Sequence, residues 1–199
     1  MLPHELACFN QGALPPAICA EIIEAAEKHG RWLRSGQVGY TSDNFVGDSR
    51  TSSETWVERY EPLLWVRDQL IAAATRTLDK YLGSGGPQRY FYESRVIRYQ
   101  MGEYLRAHED NPRPLSFHEN PDHGARAGHY YLGWRKVFTL VFYLNDNYSG
   151  GQLKFLQSGQ NIAPTTGDLL LFPPSELHES LPVLEGTKYI VTNALFYAD

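Results

Sequence analysis

Cysteine is almost absent from this sequence. The two present, Cys8 and Cys19, are too few for a disulfide framework or a cysteine-rich zinc site. Basic charge is also short: 18 Lys+Arg against 23 Asp+Glu gives a formal net charge of −5, so no global positive field recruits nucleic acid or an anionic membrane. Long apolar runs are missing too, since the densest, Val137 to Leu144, falls far short of the ~20 residues that span a bilayer. The opening residues, with Pro3, His4 and Glu5, lack the basic-then-apolar order of a signal peptide. No repeat, low-complexity tract or long linker divides the chain. What remains is an ordinary globular composition, 42% hydrophobic and 21% charged over 199 residues, which excludes a disordered chain and fits one continuous core. The expectation is a soluble, cytoplasmic, single-domain protein with neither nucleic acid nor membrane as partner.

The two halves differ in periodicity. Pro15 and Pro16 precede a segment to His29 in which Ile18, Ile22, Ala25 and Ala26 share a face, and Gly30 follows. This predicts a helix with proline at its start and glycine past its end. Pro62 to Leu82 repeats the pattern through Leu63, Val66, Leu70, Ala74 and Leu78, with Gly83 behind it. Arg31 to Thr55 is polar and glycine-rich and carries no assignable period. Beyond Gly85-Gly86-Pro87, short β-branched and aromatic runs take over: Tyr90 to Tyr99, Lys136 to Leu144, Gln152 to Leu156, Asp168 to Phe172 and Thr187 to Tyr197. Such spacing predicts a sandwich or jelly roll carrying helices on one side. Asn111 to Trp134 breaks the pattern with His118, His123 and His129 but no strand period, and loops of that length are usually functional or disordered.

His108-Glu109-Asp110 is the first chemical candidate. On a strand, residues i and i+2 point to one face, so imidazole and carboxylate can reach a single metal. His178, in Glu176-Leu177-His178-Glu179, is the best third ligand. Two histidines and a carboxylate leave three positions open on an octahedral ion, the arrangement of non-haem Fe(II) oxygenases. A lone His-x-Asp is common by chance. Lys188 adds weight, because a lysine among Tyr189, Ile190 and Val191 needs an anionic partner if it points inward. On an edge strand it would instead face solvent, and the period leaves both open.

These residues sit in a longer pattern: Phe9 to Ala26, Arg50-Thr51-Ser52-Ser53-Glu54-Thr55-Trp56, Arg98-Tyr99-Gln100-Met101-Gly102 before His108-x-Asp110, Thr139-x-x-x-Tyr143-Leu144-Asn145 leading to Gly150-Gly151, Pro164-x-x-Gly167-Asp168, then His178, Pro182-Val183, Gly186 and Lys188. In that order and spacing, from about Cys8 to Tyr197, the sequence resembles the prolyl 4-hydroxylase-like Fe(II)/2-oxoglutarate dioxygenases. The resemblance implies an α+β, mainly β fold: a double-stranded β-helix (jelly roll, cupin-like) over about 88–197, with N-terminal supporting helices over about 1–85. It implies that His108, Asp110 and His178 hold Fe(II), and that Lys188 pairs with the distal carboxylate of 2-oxoglutarate, helped by Tyr99 and Thr139. Tyr143 is a further donor or a core aromatic. O2 is the other cosubstrate and ascorbate a candidate stimulant. The implied reaction couples oxidative decarboxylation of 2-oxoglutarate to hydroxylation of an unactivated C–H bond. Related halogenases replace the carboxylate ligand with Gly or Ala, so Asp110 favours hydroxylation.

Two positions depart from the family. Members acting on peptidyl proline usually carry Tyr three residues before the first metal histidine, where Leu105 stands. Tyr104, one residue earlier, would face the other way on a strand but is retained as a substrate-side candidate. The family's Trp six residues after the lysine is Ala194, which removes a side chain covering about 200 Å². In the 111–134 loop, Arg113 and Arg126, with Arg135 just beyond, are candidates for a substrate carboxylate. A second metal on His118, His123 and His129 fits no common zinc spacing. The leading expectation is a hydroxylase of a small molecule such as a free amino acid or natural-product precursor, and the runner-up is a peptidyl-prolyl 4-hydroxylase. A catalytically silent β-helix binding domain predicts a broken triad or a missing lysine, and neither is seen. A zinc enzyme on the same three ligands is a third possibility, against which Lys188 and Tyr99 count.

Overall fold

The computed structural model describes residues 8–35, 50–84, 88–110 and 134–198. The segment with His118, His123, His129, Arg113 and Arg126 lies outside them.

The first helix, α1 (Pro16–His29), begins on the proline that needs no intrahelical donor and ends where the Gly30 N–H donates to Ala26 O. It buries Cys19, Ile22 and Ala26. The second, α2 (Leu64–Leu82), buries Val66, Leu70, Ala73, Ala74, Thr77 and Leu78 along one stripe. It starts two residues later than its period suggests, because Glu61–Leu63 forms a 3-10 turn closed by Leu63 N–H to Tyr60 O. No helix among the described residues is long and apolar enough to cross a membrane.

Among the described residues, fourteen strands follow the chain: β1 (Cys8–Asn10), β2 (Leu33–Arg34), β3 (Ser53–Trp56), β4 (Arg89–Phe91), β5 (Arg95–Tyr99), β6 (Leu105–His108), β7 (Trp134–Tyr143), β8 (Ser149–Gly150), β9 (Leu153–Phe155), β10 (Asn161–Ile162), β11 (Leu169–Phe172), β12 (His178–Ser180), β13 (Val183–Glu185) and β14 (Lys188–Ala198). The larger sheet runs β1-β11-β7-β14-β5-β3-β2, with β4 also on β14. The smaller runs β10-β9-β12-β6, and β13 pairs β8. The segment before the β-helix is therefore more than a helical support, since β1, β2 and β3 extend the larger sheet.

Strand alternation sorts the core into two. Leu169 and Leu171 on β11, with Leu140 and Phe142 on β7, face the helices beside Ile22, Val66 and Leu70. Leu170 and Phe172, with Val141 and Tyr143, join Ile97, Tyr99, Leu153 and Phe155 in the second cluster. A strand reading Leu-Leu-Leu-Phe is buried throughout because both its faces are covered.

Two expectations are corrected. The run Tyr90 to Tyr99 is not one strand: β4 and β5 part at Tyr92–Ser94, where Asn193 Nδ2 donates to Tyr92 O (2.7 Å) and Ser94 Oγ (2.8 Å). Within the unassigned stretch, β2 and β3 form although Ser52, Glu54 and Thr55 are buried, because Ser35, Arg50 and Arg95 supply polar partners.

Gly167 holds the turn into β11. Its φ is +90°, its N–H donates to Tyr143 O and its carbonyl accepts from Leu14 N–H, while a Cβ would collide with the Leu14 carbonyl oxygen. Gly167→Ala is expected to cost about 2 kcal/mol or more, lowering Tm by roughly 5 °C in a thermal melt.

Candidate active site

The site lies between the two sheets, and register builds it. In the antiparallel β6–β12 pair, His108 stands directly opposite His178, bringing the ring centroids to 4.3 Å. His108 Nδ1 is 2.9 Å from Arg106 O, and His178 Nδ1 is 2.8 Å from Glu176 O. A carbonyl only accepts, so each Nδ1 carries a proton and Nε2 is the atom each ring offers to a metal. Asp110 lies past the end of β6 rather than on it, so strand alternation is not what aims it. Its Oδ1 is 3.3 Å from His108 Nε2. One ligand atom from each of His108, Asp110 and His178 falls within 4.8 Å of the others, as metal coordination needs.

Burial pushes the Asp110 carboxyl up. The bond to His108, with Lys136, His178 and the Thr139 hydroxyl, outweighs this and holds it well below the usual carboxylate range. Burial pushes His178 down, against the pull of Asp110, which favours the neutral imidazole that a metal binds.

Lys188 opens β14 on the facing sheet, paired in register with Tyr99, and is 1% exposed. Its ammonium donates to Gly151 O (2.6 Å) and Ser180 Oγ (3.0 Å) and lies over the Tyr99 and Tyr143 rings at 5.1 and 5.7 Å. No carboxylate among the described residues pairs with it. Burial alone pushes it down to about 7. Tyr143 is buried as well, and its hydroxyl has no hydrogen-bond partner. An ammonium without an anion beside a phenol without an acceptor fits a carboxylate of 2-oxoglutarate; two imidazole Nε2 atoms beside a carboxylate fit Fe(II).

A cavity of about 110 Å³ joins these groups, lined by the triad, Tyr99, Thr139, Tyr143 and Lys188. Thr139 Oγ1 donates to Asp110 Oδ2 at 2.6 Å. Its one proton is committed there, a different use from the 2-oxoglutarate donor that the resemblance implies. Leu105, not Tyr104, lines the cavity, and the Tyr104 ring lies 5.9 Å from the Arg106 guanidinium. Arg135 sits on β7 opposite Tyr197. Sequence reasoning missed Arg95 and Lys136, which also line the cavity. Arg95 was accessible, since alternation puts Arg95, Ile97 and Tyr99 on one face. Lys136 was hidden, because the β7–β14 register shifts between Leu195 and Phe196, leaving Val137 as an extra residue that turns Lys136 to the other face.

Comparison with known proteins agrees with this geometry. The family model of the 2OG-Fe(II) oxygenase superfamily matches residues 94–196. A putative prolyl 4-hydroxylase of Acanthamoeba polyphaga mimivirus is 24% identical over 198 residues, covering 94% of this chain and 73% of that protein. Prolyl 4-hydroxylase 13 of Arabidopsis thaliana is 25% identical over 184 residues, covering 80% of this chain but only 58% of its own length. The viral collagen prolyl hydroxylase of Paramecium bursaria Chlorella virus-1 shares the fold, with a TM-score of 0.68 at 20% identity over 98% of this chain and 97% of that one. The chain belongs to the 2OG-Fe(II) oxygenase superfamily, whose members use Fe(II), 2-oxoglutarate and O2 on a double-stranded β-helix.

The buried lysine has a consequence for stability. The folded protein releases its proton near pH 7 while the unfolded chain holds one up to about 10.5, so the charge is costly at low pH and the cost fades as pH rises through that window. Lys188→Met is expected to stabilise the ligand-free protein by on the order of 2 kcal/mol at pH 6. In denaturant titrations the gain should shrink steadily between pH 7 and pH 10.5.

Proposed function

We propose that this oxygenase hydroxylates an unactivated C–H bond of a small molecule, with His108, Asp110 and His178 holding Fe(II) and Lys188 receiving the distal carboxylate of 2-oxoglutarate. The carrying observation is that the three-residue cluster and the anion-free Lys188 ammonium line one cavity. The bound iron and 2-oxoglutarate supply the oxidising chemistry. The chain supplies position. Register sets His178 against His108, the Thr139 hydroxyl and Lys136 hold the Asp110 carboxylate, and Tyr143 offers its phenol to the anion that Lys188 attracts. Phe155 and Phe172 pack edge-on, with Phe172 against the His178 ring, and form a dry floor that keeps bulk water from the reacting centre.

The small-molecule reading rests on Leu105 and Ala194, which line the cavity where peptidyl-proline enzymes usually carry Tyr and Trp. The second reading, a peptidyl-prolyl 4-hydroxylase, is favoured by the names of the relatives.

Succinate release under air, measured with Fe(II) and 2-oxoglutarate over free amino acids and proline-containing peptides, tests both. Asp110→Ala should fail to retain Fe(II) through dialysis, and Lys188→Ala should weaken 2-oxoglutarate binding by about 100-fold or more. Loss of turnover in neither variant overturns the assignment, and stimulation by peptides alone selects the second reading. Because the anion needs Lys188 charged, 2-oxoglutarate binding should take up a proton above pH 7 and weaken toward about tenfold per further pH unit. Calorimetry in buffers of differing ionisation enthalpy reads that uptake.

A further inference from the structure

The outer wall of the same cavity gathers three cations, Arg50, Arg95 and Lys136. They crowd one another: burial and then Arg50 disfavour the charge on Arg95, against the weaker opposing pull of Glu54 and Asp110. Among the described residues, the ion pairs near them involve few anions. Glu54, itself buried, is shared by Arg50 at 3.8 Å and Arg95 at 3.5 Å. The Asp110 carboxylate is 3.9 Å from Lys136 but belongs to the metal cluster. Glu93, at the rim, lies 4.0 Å from Arg59. Arg95 rests 5.4 Å from the Trp56 ring with 35% of its side chain exposed, so its planar fork is held by packing while donors remain available. Thr192 and Ala194, from the neighbouring strand, line the same part of the cavity with small side chains.

We propose that the substrate carries a free carboxylate which this wall receives, with Arg95 as the bidentate donor and Lys136 as the second cation. The inference rests on the oxygenase reading above and names the substrate class for it. Like charges gathered on a partly desolvated wall are unfavourable until an anion arrives, and a carboxylate matches the guanidinium fork. An internal proline of a peptide brings only neutral amides and leaves that excess charge unanswered. The substrate class is therefore a small carboxylic acid, a free amino acid among them, oriented by its carboxylate so that a C–H bond faces the metal cluster.

Calorimetric binding to protein loaded with Fe(II) and 2-oxoglutarate under nitrogen tests this without turnover. The probes are the free L-amino acids, each matched with its carboxamide, and proline-containing peptides capped at both ends. At least one acid should bind about tenfold or more tighter than its amide. In Arg95→Gln that preference should collapse while 2-oxoglutarate affinity is unchanged. Arg95→Lys keeps a cation beside Glu54, protecting the fold, and should retain an intermediate preference because it lacks the fork. If 2-oxoglutarate binds and no acid outcompetes its amide, or the preference survives both substitutions, or only capped peptides bind, the carboxylate wall is wrong while the oxygenase reading stands. Failure of 2-oxoglutarate itself to bind removes both.

Discussion

Lys188 enters β14 where the two sheets face one another, and its ammonium is held there by two neutral oxygens, those of Gly151 and Ser180. An ammonium so placed has lost its water without gaining an anion, which costs several kcal/mol. It stays put because many separate features fix it. Pairing with Tyr99 sets where the side chain starts, and Ile190 opposite Tyr143 brings a second ring alongside. Gly151 adopts φ +65° and aims its carbonyl at the ammonium, in a space where a Cβ would come within 3.2 Å of the lysine's own Cδ. Asn145 then ties the chain down by accepting from Tyr189 N–H and donating to Thr187 O, so the strand cannot slide to release the charge. Much of the fold far from the metal cluster can be read as support for one unfavourable burial. Strain of this kind persists where a ligand relieves it.

The two sheets divide the work. The smaller presents the histidines and the larger presents Lys188, so the distance between the His108–Asp110–His178 cluster and the Lys188 ammonium is set by how the sheets stack. Thr139 spans that gap, reaching from the larger sheet to Asp110 beyond the smaller sheet's edge strand. It compensates for Asp110 lying off the strand, where backbone pairing no longer fixes its direction. The helices play no chemical part. They cover the outer face of the larger sheet through Leu140, Phe142, Leu169 and Leu171, letting β7 and β11 be apolar on both faces and rigid at the site.

How legible this was follows from which physical rule governs each residue. Short β-branched and aromatic runs predicted β7, β11 and β14 well, and β7 and β11, covered on both faces, read as continuous apolar runs. His108 and Asp110 were singled out by their i, i+2 spacing with His178 as third ligand, and Lys188 because a lysine among apolar neighbours needs an anion if it points inward. β3 was illegible because its buried Glu54 and Thr55 are polar, and Glu54 is tolerated through Arg50 together with Ser35 and Arg95, which are distant in the sequence. The break at Tyr92–Ser94 depends on Asn193, about a hundred positions away. Lys136 was beyond any periodic rule, since a bulge at Val137 reverses its face and no residue type marks that bulge.

Charge distinguishes the two ends of the cavity. On the proposed reading, a ferrous ion, the Asp110 carboxylate, the two carboxylates of 2-oxoglutarate and the Lys188 ammonium would cancel at the inner end. That end is therefore complete without the substrate. The outer end is not, because Glu54 answers only one of Arg50 and Arg95, and Lys136 shares Asp110 with the metal. Substrate and cosubstrate thus meet different demands in one small space. The deep lysine, flanked by aromatic rings, takes a single carboxylate by point charge, whereas the half-exposed arginine offers a planar fork.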